Sequence, residues 1–254
     1  MNLIVETGFL INVLLISIRF SGVFLMTPLF AVGSVPVRIR VMLVLSLATF
    51  IVMSQGLTQT PVQYTTGELL NAAASEMLIG LVLAFGVFAA FAAFLFGGRI
   101  LDFQMGFGVA NLIDPSTNTQ GPLIGTVLNF IAVITFFLVD GHHMLIKGLA
   151  YSIERVPPGI MLAELPLAEV LAQFGAMFVY GLAVVAPAIF ALLLLDVGMA
   201  VVARTMPQMN IFIVGIPLKI FVGLVVLAIS LNYMGPLLER IYSSIFHYWE
   251  AALT

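Results

Sequence analysis

Residues 68–96 read ELLNAAASEMLIGLVLAFGVFAAFAAFLF, and this stretch decides the fold. Only Glu68 and Glu76 carry charge in it. As a helix at 1.5 Å per residue it runs about 44 Å, longer than a bilayer core of roughly 30 Å. Its first turns are amphipathic, with Glu68, Asn71, Ser75 and Glu76 largely on one face. Further on, Gly86, Ala90, Ala93 and Gly97 recur at helical spacing. Such a stripe lets a second helix approach closely, which is how helices associate where lipid supplies no hydrophobic drive. The stripe is therefore expected to lie against another helix, in this chain or in a partner.

The rest of the chain agrees with that solvent. The 254 residues are 62% hydrophobic and 8% charged, and the mean hydropathy is +1.19. A soluble domain carries roughly 25% charged residues, and this chain has too little polar surface to face water. A soluble enzyme and a disordered chain are excluded. The net charge of -3 offers no basic footprint for nucleic acid. With no cysteine there is no disulfide, thiolate nucleophile or thiolate metal ligand. Glu6 and Arg19 sit where a signal peptide would place a basic start and an unbroken apolar core, so the first segment reads as a retained membrane helix.

Apolar runs of about 20 residues are candidate spans. They fall at 8–26, 37–54, 68–96, 122–139, 167–204 and 211–233. Pro187 and Pro217 are expected to kink the last two by removing a backbone donor. Residues 143–155 and 236–250 read as amphipathic helices; the second alternates Leu237, Ile241, Ile245 and Trp249 with polar residues. Its apolar face is expected on membrane or on partner subunits. The fold class is an all-α polytopic membrane protein in a single integral membrane domain, 1–254, with about six long kinked helices and short amphipathic ones. Lysine and arginine counts split four against three between the two sides, with Lys219 adding little, so orientation stays open.

Residues 97–121 read as a loop with apolar content in its first half. Phe107, Val109, Leu112 and Ile113 can exclude water, while Gly106 and Gly108 let the backbone bend. Asp114-Pro115 ends the apolar part. A loop longer than about 12–15 residues usually has a job or is disordered. Two sequence likenesses nearby are decoys. Gly106 to Asn111 lacks the third glycine and the preceding strand of a dinucleotide site, and Gly141 to Lys147 lacks phosphate-loop spacing. His142 and His143 are adjacent, so on a helix they point about 100° apart and do not share a metal as an i, i+4 pair would. No catalytic, cofactor or metal set emerges.

Four charges lie in or near apolar segments: Arg19, Glu76, Asp196 and Lys219. Such charges are costly in lipid and face protein or water. Structural ion pairs are the preferred reading, with Asp196 the first-choice partner of Arg19. An ion path through Arg19, Glu76 or Asp196, in a stand-alone transporter or channel, is the alternative.

Three stretches together resemble the FliR/SctT family of type III export-gate proteins. They are Arg19 to Pro28 followed by Val35 to Arg40; Gly106 to Pro122 with Asp140-Gly141-His142; and Pro207 to Phe212 followed by Gly215 to Lys219. The resemblance covers nearly the whole chain. It implies a non-enzymatic, pore-forming subunit that assembles with FliP and FliQ, near FlhB and FlhA, in the bacterial inner membrane within the flagellar basal body. It would pass unfolded flagellar proteins; an injectisome counterpart is the nearest alternative. It also implies a FliP-like part at 1–160 and, at 161–254, a FliQ-like hairpin plus the C-terminal amphipathic helix. The loop Gly106, Phe107, Gly108, Val109, Leu112 and Ile113 is then a plug in the pore, a constriction that excludes ions by dewetting.

Overall fold

A computed structural model describes residues 2–31, 35–56, 64–107, 122–160, 165–206 and 211–254. Among them there are helices and no strands. In chain order they are α1 (Asn2–Met26), α2 (Pro28–Ala31), α3 (Val37–Ser54), α4 (Thr66–Met105), α5 (Leu123–Leu138), α6 (Gly141–Arg155), α7 (Leu167–Thr205), α8 (Ile211–Leu231) and α9 (Gly235–Ala252). Five are long and apolar enough to cross a membrane, or six if α5 and α6 count as one broken span. The chain is an all-α polytopic membrane protein by length and composition.

The main departure from the sequence reading is at α4. The helix does not stop near Phe96; it runs 40 residues, to Met105. Gly97, Gly98 and Asp102 look like loop residues but serve helix packing, while Arg99 stays exposed on the helix. Asp102 is buried, and its Oδ1 accepts the Ile124 N–H at 3.0 Å. That satisfies one of the donors orphaned at the start of α5. The helix ends where Gly106 turns to φ +88, the left-handed exit that only glycine takes without strain.

Two compact units divide the chain. The first comprises Met1–Ala89, Phe136–Gln173 and Ser243–Thr254. In it α1 buries Asn12, Leu15, Ile16, Arg19, Phe20, Val23 and Phe24, a stripe repeating every three to four residues. The rest of α1 is equally apolar, so its composition hides the stripe. α3 packs on α1 and buries Val44, Ala48, Ile51 and Val52. α1 and α4 cross at glycine: a Cβ added to Gly22 would lie 2.5 Å from the Gly80 carbonyl oxygen, and one on Gly80 2.5 Å from that of Arg19.

The second unit comprises Ala90–Thr135 and Phe174–Tyr242. Here α4 meets α7 at Gly97, where a Cβ would overlap the Gly181 carbonyl oxygen, and a Cβ on Gly181 would lie 2.7 Å from that of Ala93. It meets α5 at Gly98, where a Cβ would overlap the Cα and N of Gly125. Tyr242 ties the start of α9 to α5: its hydroxyl donates to the Ala132 carbonyl at 2.7 Å and contacts Thr135 Oγ1 at 2.6 Å. Burial pushes its phenol up to about 12, so it stays protonated and keeps donating.

Large apolar side chains remain exposed on the second unit. Phe190, Leu193, Leu194, Val197 and Val201 on α7 and Ile213, Phe221 and Ile229 on α8 are exposed. Side chains of this kind in these numbers need lipid or other protein as their solvent.

Candidate functional site

Arg19 is fully buried, and every one of its five donors is used. Nε and Nη2 reach the two Glu76 oxygens at 2.6 and 3.0 Å. Nη1 donates to Ser152 O at 2.8 Å and, at 3.3 Å, to Ser152 Oγ. Nη2 also donates to Val156 O at 2.8 Å. The Glu76 carboxylate, equally buried, accepts a further bond from Gly159 N–H at 2.9 Å. One side chain of α1 thus joins α4 and the last carbonyls of α6, where a positive charge also suits the helix dipole.

Gly159 presents that N–H from a left-handed turn, φ +82. A Cβ there would strike the Tyr64 hydroxyl. Burial, then the Glu76 and Glu68 carboxylates, push the Tyr64 phenol above its ordinary range. The expected partner of Arg19, Asp196, is elsewhere. It meets Lys219 Nζ at 2.5 Å and joins α7 to α8. Glu76 takes the place expected of Asp196, because it lies one helical turn from the Gly22–Gly80 crossing.

The small-residue stripe faces helices of this chain. Ala90 and Ala93 are buried, and Gly97 carries the α4–α7 crossing described above. Gly86 makes room for α9: a Cβ on it would overlap the Tyr248 ring and lie 3.2 Å from Trp249 Nε1. Trp249 Nε1 donates to Leu83 O at 2.9 Å, and Tyr248 OH to Val82 O at 3.1 Å. Burial, then Glu169, raise the Tyr248 phenol. The apolar face of α9 therefore corrects an expectation. Ile241, Ile245 and Trp249 are buried within the chain, not on membrane or partner subunits, because the indole and phenol find backbone carbonyls beside Gly86. Trp249→Ala is expected to cost about 3–5 kcal/mol and to free α9, seen as faster proteolysis at the C-terminus. Trp249→Phe should keep much of the packing while losing the bond to Leu83.

The histidines also differ from expectation. Their rings lie side by side, centroids 4.1 Å apart, and one ligand atom from each falls within 4.8 Å of the other and of the Asp140 carboxylate. Asp140 takes φ 58 and turns its carboxylate back, 3.2 Å from His143 Nδ1 and 4.0 Å from His142 Nε2. The pair reads as a hydrogen-bonded turn opening α6, whose N-terminal dipole disfavours an added cation.

Of the loop residues, Gly106 and Phe107 are described. A Cβ added at Gly106 would meet Ile216 of α8 at ordinary van der Waals distance, 3.7 Å, and Phe107 is half-buried. Gly108, Val109, Leu112 and Ile113 lie outside the described residues. Just before the exit, Phe103 is 83% exposed, an aromatic ring left uncovered by the described residues.

Residues 10–245 match the family described as bacterial export proteins, family 1. The chain is 33% identical over 234 residues to the flagellar biosynthetic protein FliR of Bacillus subtilis (strain 168), covering 91% of this chain and 90% of the relative. It is 29% identical over 221 residues to the protein of that name in Escherichia coli (strain K12), covering 87% and 84%. It is 24% identical over 217 residues to the Yop proteins translocation protein T of Yersinia pestis, covering 83% and 82%.

Proposed function

The chain belongs to bacterial export proteins, family 1, the FliR/SctT family, and from that premise we propose that it is a pore-forming structural subunit of the flagellar type III export gate. It assembles with FliP and FliQ, neighbours FlhB and FlhA, and passes unfolded flagellar proteins across the inner membrane at the basal body. It performs no catalysis of its own. In this reading residues 161–254 supply a FliQ-like hairpin and the C-terminal helix, and 1–160 a FliP-like part.

The observation that carries the reading is near full-length similarity to relatives named for flagellar biosynthesis, at 33% for one of them. The charges support it against a stand-alone ion carrier. A carrier keeps an ionisable group available to its ion. Arg19 and Glu76 are fully buried and saturated with bonds, and Asp196 is engaged by Lys219. The uncovered apolar faces of α7 and α8 fit a subunit that meets other subunits and lipid. The identity to the Yersinia translocation protein is lower, 24%, which favours the flagellar branch.

The test is purification of the tagged chain from its own bacterium, with a deletion strain alongside. Co-purification of FliP and FliQ, and loss of flagellar proteins from the medium that the intact gene restores, is the expected result. A homo-oligomer that conducts ions alone in liposomes, with export intact in the deletion strain, would falsify the proposal.

A further inference from the structure

Asp140, His142 and His143 come together at the start of α6. Each offers one ligand atom, and the three atoms lie within 4.8 Å of one another. Among the described residues no other group of three histidines and carboxylates converges in this way. Two ligands held about 2.0–2.1 Å from one zinc ion at the tetrahedral angle stand roughly 3.3–3.4 Å apart. Asp140 Oδ1 is 3.2 Å from His143 Nδ1 and 4.0 Å from His142 Nε2. The first spacing is already that of a shared ion, and the second closes to it by about 0.6 Å, within the reach of a side-chain rotation.

Packing holds the rings near this arrangement. The His142 ring contacts Phe137, centroids 5.5 Å apart, as well as His143. A Cβ on Gly141 would overlap the Phe136 ring, so the glycine lets the turn sit close against α5. His142 makes no hydrogen bond among the described residues: Nδ1 is buried without a partner, and Nε2 is too far from the carboxylate for one. Nε2 is therefore the ring nitrogen open to a ligand. The Asp140 side chain is 74% exposed, so water reaches the site from the open side.

The start of α6 opposes a cation with about half a positive charge. Asp140 brings a full negative charge into direct contact with the ion, and at equal distance the full charge outweighs the half. Two imidazoles favour zinc over magnesium or calcium, which take oxygen ligands.

We propose that Asp140, His142 and His143 form a site for one divalent cation of the zinc class. The ion is held by Asp140 Oδ1, His142 Nε2 and His143 Nδ1, with water as the fourth ligand. It ties the turn before α6 to the first turn of that helix. The site stands on these three residues and not on the pore reading.

The experiment uses the complete complex, purified in detergent on a tag free of histidine and dialysed against chelator. Zinc is titrated in competition with a chromophoric indicator, and the thermal midpoint is read with and without zinc. The wild type is expected to take up one more zinc ion per copy of this chain than Asp140→Asn. Asparagine accepts the left-handed backbone of Asp140, φ 58, so this variant keeps the turn and loses only the charge. Its midpoint without zinc should equal that of the wild type. His143→Ala should weaken binding by at least about 100-fold, since losing even a supporting residue of a metal site costs about 10–100-fold. His247→Ala removes the remaining histidine, on α9, and should bind zinc as the wild type does. Zinc should raise the midpoint of the wild type and not that of Asp140→Asn; magnesium should raise neither. Equal zinc uptake by the wild type and Asp140→Asn overturns the proposal, as does undiminished uptake when His142→Ala and His143→Ala are combined.

Discussion

Arg19→Ala is expected to prevent the protein from accumulating in the membrane, not to alter its activity by degrees. The substitution strands the Glu76 carboxylate, which has 0% exposure, with Gly159 N–H as the one donor left to it among the described residues. Removing one partner of a buried pair costs about 3–5 kcal/mol, a large part of the 5–15 kcal/mol that holds a typical domain together. It also releases the carbonyls of Ser152 and Val156 at the end of α6. Arg19→Lys should rescue poorly, because a compact ammonium cannot hold both carboxylate oxygens and two carbonyls as the planar fork does. Glu76→Ala should be as damaging as Arg19→Ala. The double variant Arg19→Met with Glu76→Leu should recover much of the loss, since no buried charge is left unpaired. Membrane abundance and the thermal midpoint in detergent check this. A wild-type midpoint for Arg19→Ala contradicts it.

Gly98→Val is the second large effect. A Cβ at 98 would overlap the backbone of Gly125 on α5, including its Cα and N, and sit 2.9 Å from the Ile124 carbonyl carbon. A flexible side chain could yield there; backbone inside a helix cannot. Overpacking costs typically about 1–3 kcal/mol, and this collision sits at the demanding end of that range. It also pulls Ile124 away from Asp102. The expected readout is a lowered midpoint and loss of the assembled complex. Gly175→Ala is the control. Nothing lies within 4 Å of a Cβ at 175, and alanine favours a helix interior by up to about 1 kcal/mol, so stability should hold or rise. Equal behaviour of the two variants would contradict the close crossing.

What the sequence made legible follows from what a linear pattern can carry. The starts of α3 at Val37, α7 at Leu167 and α8 at Ile211 were readable because proline or polar turns interrupt long apolar runs. The amphipathic pattern of α9 was readable from spacing alone. Its covering was not, since the bond from Trp249 to Leu83 spans 166 positions. Arg19 was readable as a charge that lipid would not accept. Its partner was not, because Glu76 stands 57 residues away and Asp196 is an equally good carboxylate on paper. Gly97 to Met105 was misread as loop for a related reason. Arg99, Asp102 and a glycine pair look like a break until α5 and α7 are seen pressing on them. The histidine pair was misread because long side chains on neighbouring helical positions can turn toward each other, as these rings do at 4.1 Å, and because Asp140 just before the helix turns its carboxylate back to both.

The central claim is that the segment following Gly106 closes a pore in an export gate. Gly106 leaves α4 in the left-handed conformation, and the apolar residues Phe107, Val109, Leu112 and Ile113 follow it in the chain. The direct measurement is ion leak across the membrane of cells carrying the complete complex with Phe107→Gly and Ile113→Gly. Recovery of the complex with FliP and FliQ is measured in the same cells. The expected result is a complex recovered at wild-type yield and a membrane that leaks small ions. A fully assembled complex that leaks no more than wild type contradicts the claim and makes the segment a packing element.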